Sequence, residues 1–463
     1  MFEGAKQDAQ EAQLSHSQGF LSQAARSIAM RVSAAGLTFG MALVVARALG
    51  DRGLFGEYSL AIFWMNILAI VAKLGFDTAS LRFIAQYRAG GEDALVRGYD
   101  VTARRWTFGM SLVMSAVMLM GTLLLRSMLS EGVFWCLTIA SALLPVIVGI
   151  QLREAGLLAF GRVMFGQTSG VLMPLILIAL VLSLPLLTQQ RLSPPLVVGL
   201  QLVSAVITLT FVDWMNRRTF AEVTEVEQPE VRTREWLHVA VPILLVQFLN
   251  LVQHQSGIGL CGALLDKEAA GLFSAVVRVA GVLFLGLQAI NMIAAPTIAS
   301  LYHSGRQAEL ERFVKTCSLA SGGFAFAFML VMILFGRTVL GIFGDQYVEG
   351  FVPMMVMIAG LSLAAAAGPV TQFLLMTGHQ WDCIKVFSVN VVVCLAAAIV
   401  VIPTYGVLGA AVIAAFARLS SCASMVLLIK RKHNLWCIAG WPTDSTKAPT
   451  RPTEPATPQR AAA

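Results

Sequence analysis

A chain of 463 residues that is 57% hydrophobic and only 13% charged lies far from a soluble average. Its net charge of +7 could suit a nucleic-acid binder. The basic residues, however, sit mainly between long apolar runs, so the excess reads as membrane topology and nucleic acid is excluded as a partner.

In chain order, apolar stretches occupy residues 24–46, 58–76, 107–125, 133–150, 164–187 and 196–215. A second set follows at 237–262, 272–298, 316–336, 352–377, 384–402 and 407–429. At 1.5 Å per residue, roughly 20 residues cross the ~30 Å hydrocarbon core. The runs are too long and too continuously apolar for barrel strands, so the expected fold is an all-α polytopic membrane protein of about twelve transmembrane helices. Residues 1–20 are polar and carry no cleavable leader; the first span serves as the insertion signal. The tail beyond Trp441 holds five prolines among Thr and Ala and is expected to be disordered.

Loop charges set the orientation. One alternating set of loops, from Arg82 and Arg88 to Lys430, Arg431 and Lys432, carries 18 Lys and Arg. The opposite set carries 6: Arg47, Arg52, Arg126, Arg191, Lys267 and Arg337. Both termini are therefore expected in the cytoplasm. The seven cysteines lie in or beside spans without CxxC spacing and read as apolar packing residues. HExxH, GxSxG and P-loop motifs are absent, and the outward loops are too short for a catalytic platform, which argues against an enzyme.

The chain repeats itself. Shifted by 215 residues, segment 49–97 matches 264–312 without a gap, with ten identities that include Asp51/Asp266, Gly56/Gly271 and Ser59/Ser274. Six spans per repeat give both halves the same orientation, related by an axis along the membrane normal. The expected organisation is a tail at 1–20, a six-helix bundle at 21–216, a linker at 217–234, a second bundle at 235–432 and a tail at 433–463. Two bundles around a central cavity are the physical basis of alternating access.

Charges within spans cost about 2.5–3.5 kcal/mol each and call for an explanation. Arg31, Arg278 and Arg418 are such residues. At the 215-residue shift, Arg31 meets Val246 and Arg278 meets Phe63, so the scaffold repeats while these cations do not. They are candidates for binding an anionic group, because Arg offers a rigid fork to phosphate. The alternative is snorkelling to the nearer surface or pairing with a carboxylate. Lys73 reads as a snorkeller, and Arg153 and Glu154 as a boundary network. Asn66, Gln247, Asn250, Gln253, His254, Gln255, Asn291, Gln372 and Asn390 are candidate sugar-binding groups. Asn250, Gln253 and His254 share a helix face; interhelical hydrogen bonding is the alternative for each. Trp64 and Trp381 are candidates for stacking on sugars or for interfacial anchoring.

The segment LGDRGLFGEYSLAIFW…LGFDTASLRFIAQY (49–87) resembles the first spans of Wzx-type polysaccharide flippases. These belong to the multidrug/oligosaccharidyl-lipid/polysaccharide exporter superfamily. AGLFSAVVRVA (270–280), APTIASLYHSG (295–305), VLGIFGDQYVEG (339–350), LLMTGH (374–379) and IPTYGVLGAAVIAAFAR (402–418) agree. The resemblance implies two six-helix bundles in a V in the bacterial inner membrane. It implies a transporter that flips a lipid-linked, undecaprenyl-pyrophosphate type oligosaccharide for exopolysaccharide, capsule or O-antigen assembly. Polysaccharide polymerase and export machinery are the implied partners. It implies no cofactor and is compatible with coupling to protons or sodium. A cation-coupled multidrug extruder of the same superfamily is the alternative; it would need buried carboxylates, which the spans scarcely offer.

The loop charges generate a direct expectation. Reporter fusions at Arg88, Gln228 and His433 report the cytoplasm, and fusions at Arg52 and Gln190 report the outside. An outside signal at Gln228 breaks the six-plus-six arrangement.

Overall fold

The computed structural model describes residues 29–162, 164–188, 192–221 and 229–433, and these are helical apart from short connections. The first half runs α1 (Ala29–Leu49), α2 (Arg52–Lys73), α3 (Phe76–Ala89), α4 (Asp93–Leu124), α5 (Glu131–Ala159), α6 (Ser169–Thr188) and α7 (Pro194–Phe220). The second runs α8 (Thr233–Leu264), α9 (Lys267–His303), α10 (Gln307–Gly341), α11 (Phe351–Ala365), α12 (Val370–Met376) and α13 (Gln380–His433). The expected tail at 1–20 lies outside the described residues. So do residues 222–228 of the expected linker and all of the C-terminal tail after His433.

Among the described residues the helices suffice for twelve crossings, by a less regular route than twelve separate runs. Ten described helices are long and apolar enough to span a bilayer, and Ser169–Leu184 is a shorter apolar one. Gln380–Lys432, at 53 residues, is about twice the length one crossing requires. It folds back at Gly406, whose φ of 60° and ψ of −142° suit glycine alone. The second expected span, 58–76, stops at a turn near its expected end, and the tenth is broken. The second ends at Leu74 and Gly75, both at positive φ, and continues as α3. The tenth ends before Gly368 and Pro369 and resumes as α12. Hydropathy averages over the break at Gly368 because the flanking residues stay apolar. Many outward side chains are apolar, with Leu124 and Leu334 about three-quarters exposed, as lipid-facing surfaces require.

The helices form two lobes. In the first, α5 packs against α2, α3, α4 and α7, and α6 against α7; in the second, α9 packs against α8, α10, α11 and α12, and α13 against α8 and α11. The lobes meet chiefly where α2 crosses α9. The two helices begin alike. Asp51 caps α2 by accepting from the Gly53 and Leu54 amides, and Asp266, its repeat equivalent, caps α9 by accepting from Ala269. One turn on, Gly56 and Gly271 face each other. A Cβ at Gly56 would lie 1.7 Å from the Lys267 carbonyl oxygen, and one at Gly271 would lie 2.0 Å from that of Arg52. Backbone therefore touches backbone at the crossing.

A continuous apolar core runs through this end of both lobes, joining Leu49, Phe55 and Val133 to Leu272, Phe343 and Tyr347. At the opposite, arginine-rich end the packing divides. One cluster gathers Phe76, Tyr87, Tyr99 and Phe220; another gathers Ile298, Leu310, Phe373 and Phe387. The first turns of α8 belong to the first cluster, where Trp236 is fully buried and donates to Tyr87 Oη at 3.0 Å.

Gly56→Leu and Gly271→Leu each force a side chain into main-chain atoms that cannot rotate away. Overpacking of this kind costs about 1–3 kcal/mol or more. Both variants are expected to lose most of their folded protein from membranes, measured by fluorescence size-exclusion chromatography. Abundant, monodisperse Gly56→Leu protein would show that the crossing tolerates separation.

Candidate functional site

A cavity of about 390 Å³ lies beside the α2–α9 crossing, walled by α1, α2, α5, α6 and α7 of the first lobe and by α8 and α9 of the second. Arg278 is the one formally charged side chain among its described lining residues. Three polar atoms on its walls are buried without a hydrogen-bond partner: Ser59 Oγ, Gln151 Oε1 and Arg278 Nε. Buried polar groups are normally satisfied, so three vacant ones around a single cavity mark unspent binding capacity. Arg278 has no acidic partner among the described residues; its Cζ lies 5.9 Å from the Phe55 ring centroid. Beside it, Tyr58 donates to Gln201 Oε1 at 2.8 Å. Asn66 and Gln255 line the same space. A permanent cation among amides and hydroxyls, with no carboxylate on the wall, suits a hydrogen-bonding anion.

A second, smaller cavity of about 60 Å³ lies in the second lobe, where Arg418, Asn291 and Gln372 converge. Arg418 Nη1 lies 3.1 Å from His254 Nε2, and both groups pack on Phe284. Arginine has no acceptor, so the imidazole accepts through Nε2 and is neutral in this arrangement.

The other candidates take varied positions. Arg31 is exposed near the start of the described part of α1, where Thr38 and Met41 face the first cavity instead. Gln253 is buried, and its Nε2 lies within donating distance of Asn390 Oδ1, the Ala417 carbonyl and Ser421 Oγ, tying α8 to α13, while its Oε1 has no partner among the described residues. Asn250 is partly buried on α8, apart from both cavities. Trp64 and Trp381 are about half exposed on the outer surface. Lys73 does not snorkel; it is buried and pairs with Asp77 at 2.7 Å, one turn on. Arg153 pairs with Asp213 at 2.5 Å, while Glu154 accepts from the Ser169 amide and hydroxyl at the start of α6.

Tyr58, Ser59, Gln151 and Gln201 escaped the sequence reading. Gln201 carried a signal, an amide inside an apolar run. Tyr58 and Ser59 carried none, because both repeat at Phe273 and Ser274 and looked like scaffold.

The cavity is shut at the α2–α9 end by contacts between lobes. Lys267 donates to the buried Glu57 at 2.8 Å, and Ser130 donates to the same oxygen at 3.1 Å. Arg52 pairs with Glu349 at 2.7 Å. Arg52 and Lys267 are equivalent residues of the repeat, so each lobe offers a cation from the same repeat position to the other. Arg47 also donates to the Ile342 carbonyl at 2.6 Å, and Gln346 to that of Gly50 at 3.1 Å.

Comparison with known proteins adds the following. Residues 21–302 match the family model described as Polysaccharide biosynthesis protein. The chain is similar in fold to an inward-facing multidrug resistance MATE family transporter of the MOP superfamily. The TM-score is 0.73 at 15% identity, over 88% of this chain and 98% of that one. The outward-facing conformation of a multidrug resistance MATE family transporter gives 0.62 at 14% identity, over 89% and 95%. A MOP superfamily transporter from Pyrococcus furiosus, whose binding pocket is described as reversed in polarity, gives 0.63 at 15% identity, over 89% and 95%. A comparison with curated protein sequences found no match.

The closure contacts give a prediction. A cysteine at Ser59, in a background with the seven native cysteines replaced, should label slowly with a membrane-impermeant maleimide applied from the Arg52 side. Adding Glu57→Gln removes the buried partner of Lys267 and should raise labelling several-fold. Unchanged labelling would show that apolar packing alone holds this end shut.

Proposed function

This chain belongs to the polysaccharide biosynthesis protein family, and on that premise we propose that it flips a lipid-linked oligosaccharide across the bacterial inner membrane. The arginine-rich end faces the cytoplasm in this reading. The observation that carries it is Arg278 in a cavity without a carboxylate on its wall. A lipid pyrophosphate brings clustered negative charge that must leave water to cross the bilayer. Arg278 replaces part of that hydration with a fixed, forked donor. The vacant Ser59 and Gln151 oxygens accept from sugar hydroxyls, as do the amide oxygens of Asn66 and Gln255. The lipid tail stays in the bilayer beside the lobes.

Transport then follows from the two ways the lobes are joined. The α2–α9 end is closed by a continuous core and two kinds of polar contact, while at the arginine-rich end the packing divides into two clusters, one of which takes in the first turns of α8. Cargo enters from the cytoplasmic leaflet. Its binding between lobes favours the arrangement in which both halves grip it, and the latch of Arg52, Lys267, Glu57 and Glu349 exchanges its partners for water as the outer end opens. Arg418 and His254 provide a second polar station in the second lobe, and the polymerase and export machinery receive the product.

Multidrug extrusion is the second reading, favoured by the fold likeness to MATE transporters. It requires the opposite charge in the cavity, because a cationic drug is repelled by an unpaired arginine. Arg278→Ala is therefore expected to cut surface polysaccharide about tenfold or more in a complemented deletion strain, the loss typical of one charge-assisted contact. Membrane abundance stays near normal, and Arg278→Lys restores part of the export. Arg31→Ala, outside the cavity, serves as the comparison. Full export by Arg278→Ala at normal abundance overturns the anionic-cargo reading, and loss of drug resistance in its place favours the extruder.

A further inference from the structure

A second opening of about 500 Å³ lies between α4 and α5 on the outside of the first lobe. α5 separates it from the transport cavity: Ile147, Ile150 and Gln151 line the inner space, whereas Pro145, Val148, Gly149 and Leu152 line this one. Its chemistry changes along its length. Phe108, Pro145, Val148 and Gly149 make an apolar slot inside the segments that hydropathy marks as spans. Arg104, Arg105 and Arg153 stand at its mouth, just beyond those spans. Gly149 and Pro145 leave a shallow wall, and Phe108 and Val101 on the other side are about half exposed.

The mouth carries excess positive charge. Arg104 donates to Asp100 at 3.0 Å and to Asn216 Oδ1; Arg153 donates to Asp213 at 2.5 Å, which also takes Arg217 at 2.6 Å. Three arginines thus share two aspartates. Arg105 is exposed and has no ionic partner among the described residues. Trp106 and Trp214 are about half exposed nearby in the chain, and the Arg218 guanidinium lies 4.0 Å from the Trp214 ring centroid. Such tryptophans mark a bilayer boundary.

We propose that this slot binds an anionic glycerophospholipid. The headgroup phosphate sits on Arg105, with Arg104 and Arg153 behind it, and one acyl chain lies along Phe108, Pro145 and Gly149. Basic pockets between membrane helices at the bilayer surface recognise such headgroups, and zwitterionic lipids lack the net charge to compete. The occupant is bulk lipid and not the cargo's carrier, because the slot opens away from the transport cavity. Bound there, it braces α4 against α5 and holds the first lobe at a fixed depth while the lobes move. The inference rests on the membrane-spanning fold and is independent of what is transported.

Native mass spectrometry of the purified protein, titrated with phosphatidylglycerol or phosphatidylcholine, tests it. Phosphatidylglycerol should be retained preferentially. Arg105→Ala should weaken that retention about fivefold, the loss expected for one basic residue at an anionic surface, and Arg105→Lys should recover most of it. Arg105 is exposed and unpartnered, so its replacement leaves folding intact, as the unchanged charge-state distribution would confirm. Equal retention of the two lipids, or undiminished retention by Arg105→Ala, overturns the proposal. So does displacement of phosphatidylglycerol by equimolar undecaprenyl phosphate, which would reassign the slot to the carrier. None of these readings requires transport, so they stand apart from the Arg278 experiment.

Discussion

The crossing of α2 and α9 at Gly56 and Gly271 is the contact on which the rest of the molecule depends. Without side chains, each glycine brings its helix within van der Waals distance of the other's carbonyl oxygens. In a bilayer, where lipid competes equally for apolar surface, such close backbone approach is what holds helices together. Because the glycines are equivalent in the repeat, the contact places the two lobes about a local twofold relation. The pairs around it follow: Asp51 and Asp266 cap the two helices, and Arg52 and Lys267 reach across to the opposite lobe.

This geometry separates what is symmetric from what is not. The scaffold repeats, but Arg278 stands where the first lobe has Phe63. Phe63 packs against Gly259 of α8 and seals that side of the interface, while Arg278 turns into the cavity under Phe55. One substitution between equivalent positions thus converts a packing site into a binding site. Duplicated membrane proteins have this option because each position exists twice: one copy can keep the fold while the other takes on chemistry.

The cavity also lacks a carboxylate on its wall, and that matters as much as the arginine. Pairing Arg278 with an acid would have neutralised it and lowered its cost in the membrane. Lys73 with Asp77, and Arg153 with Asp213, show that the fold makes such pairs elsewhere. Arg278 is left without such a partner beside Ser59 and Gln151 with their own vacant atoms, and Arg418 is held by a neutral imidazole in place of an acid.

The sequence by itself determined the architecture. Hydropathy fixed the twelve crossings, since a backbone in lipid has few solutions, and the repeat of 215 residues fixed their division and the special glycines. It also singled out Arg278 as a cation with no counterpart. What it could not decide was which polar groups meet. Gln253 and His254 are neighbours in the chain, yet the Gln253 nitrogen ties α8 to Asn390 and Ser421 whereas His254 holds Arg418. Arg31 and Arg278 looked alike as intramembrane cations, and only the packing placed one on the surface and the other in the cavity. The break at Gly368 was invisible for the same reason. Apolar composition records that a residue avoids water, but not whether lipid or protein shields it, and that choice is made by tertiary contacts between helices far apart in the chain.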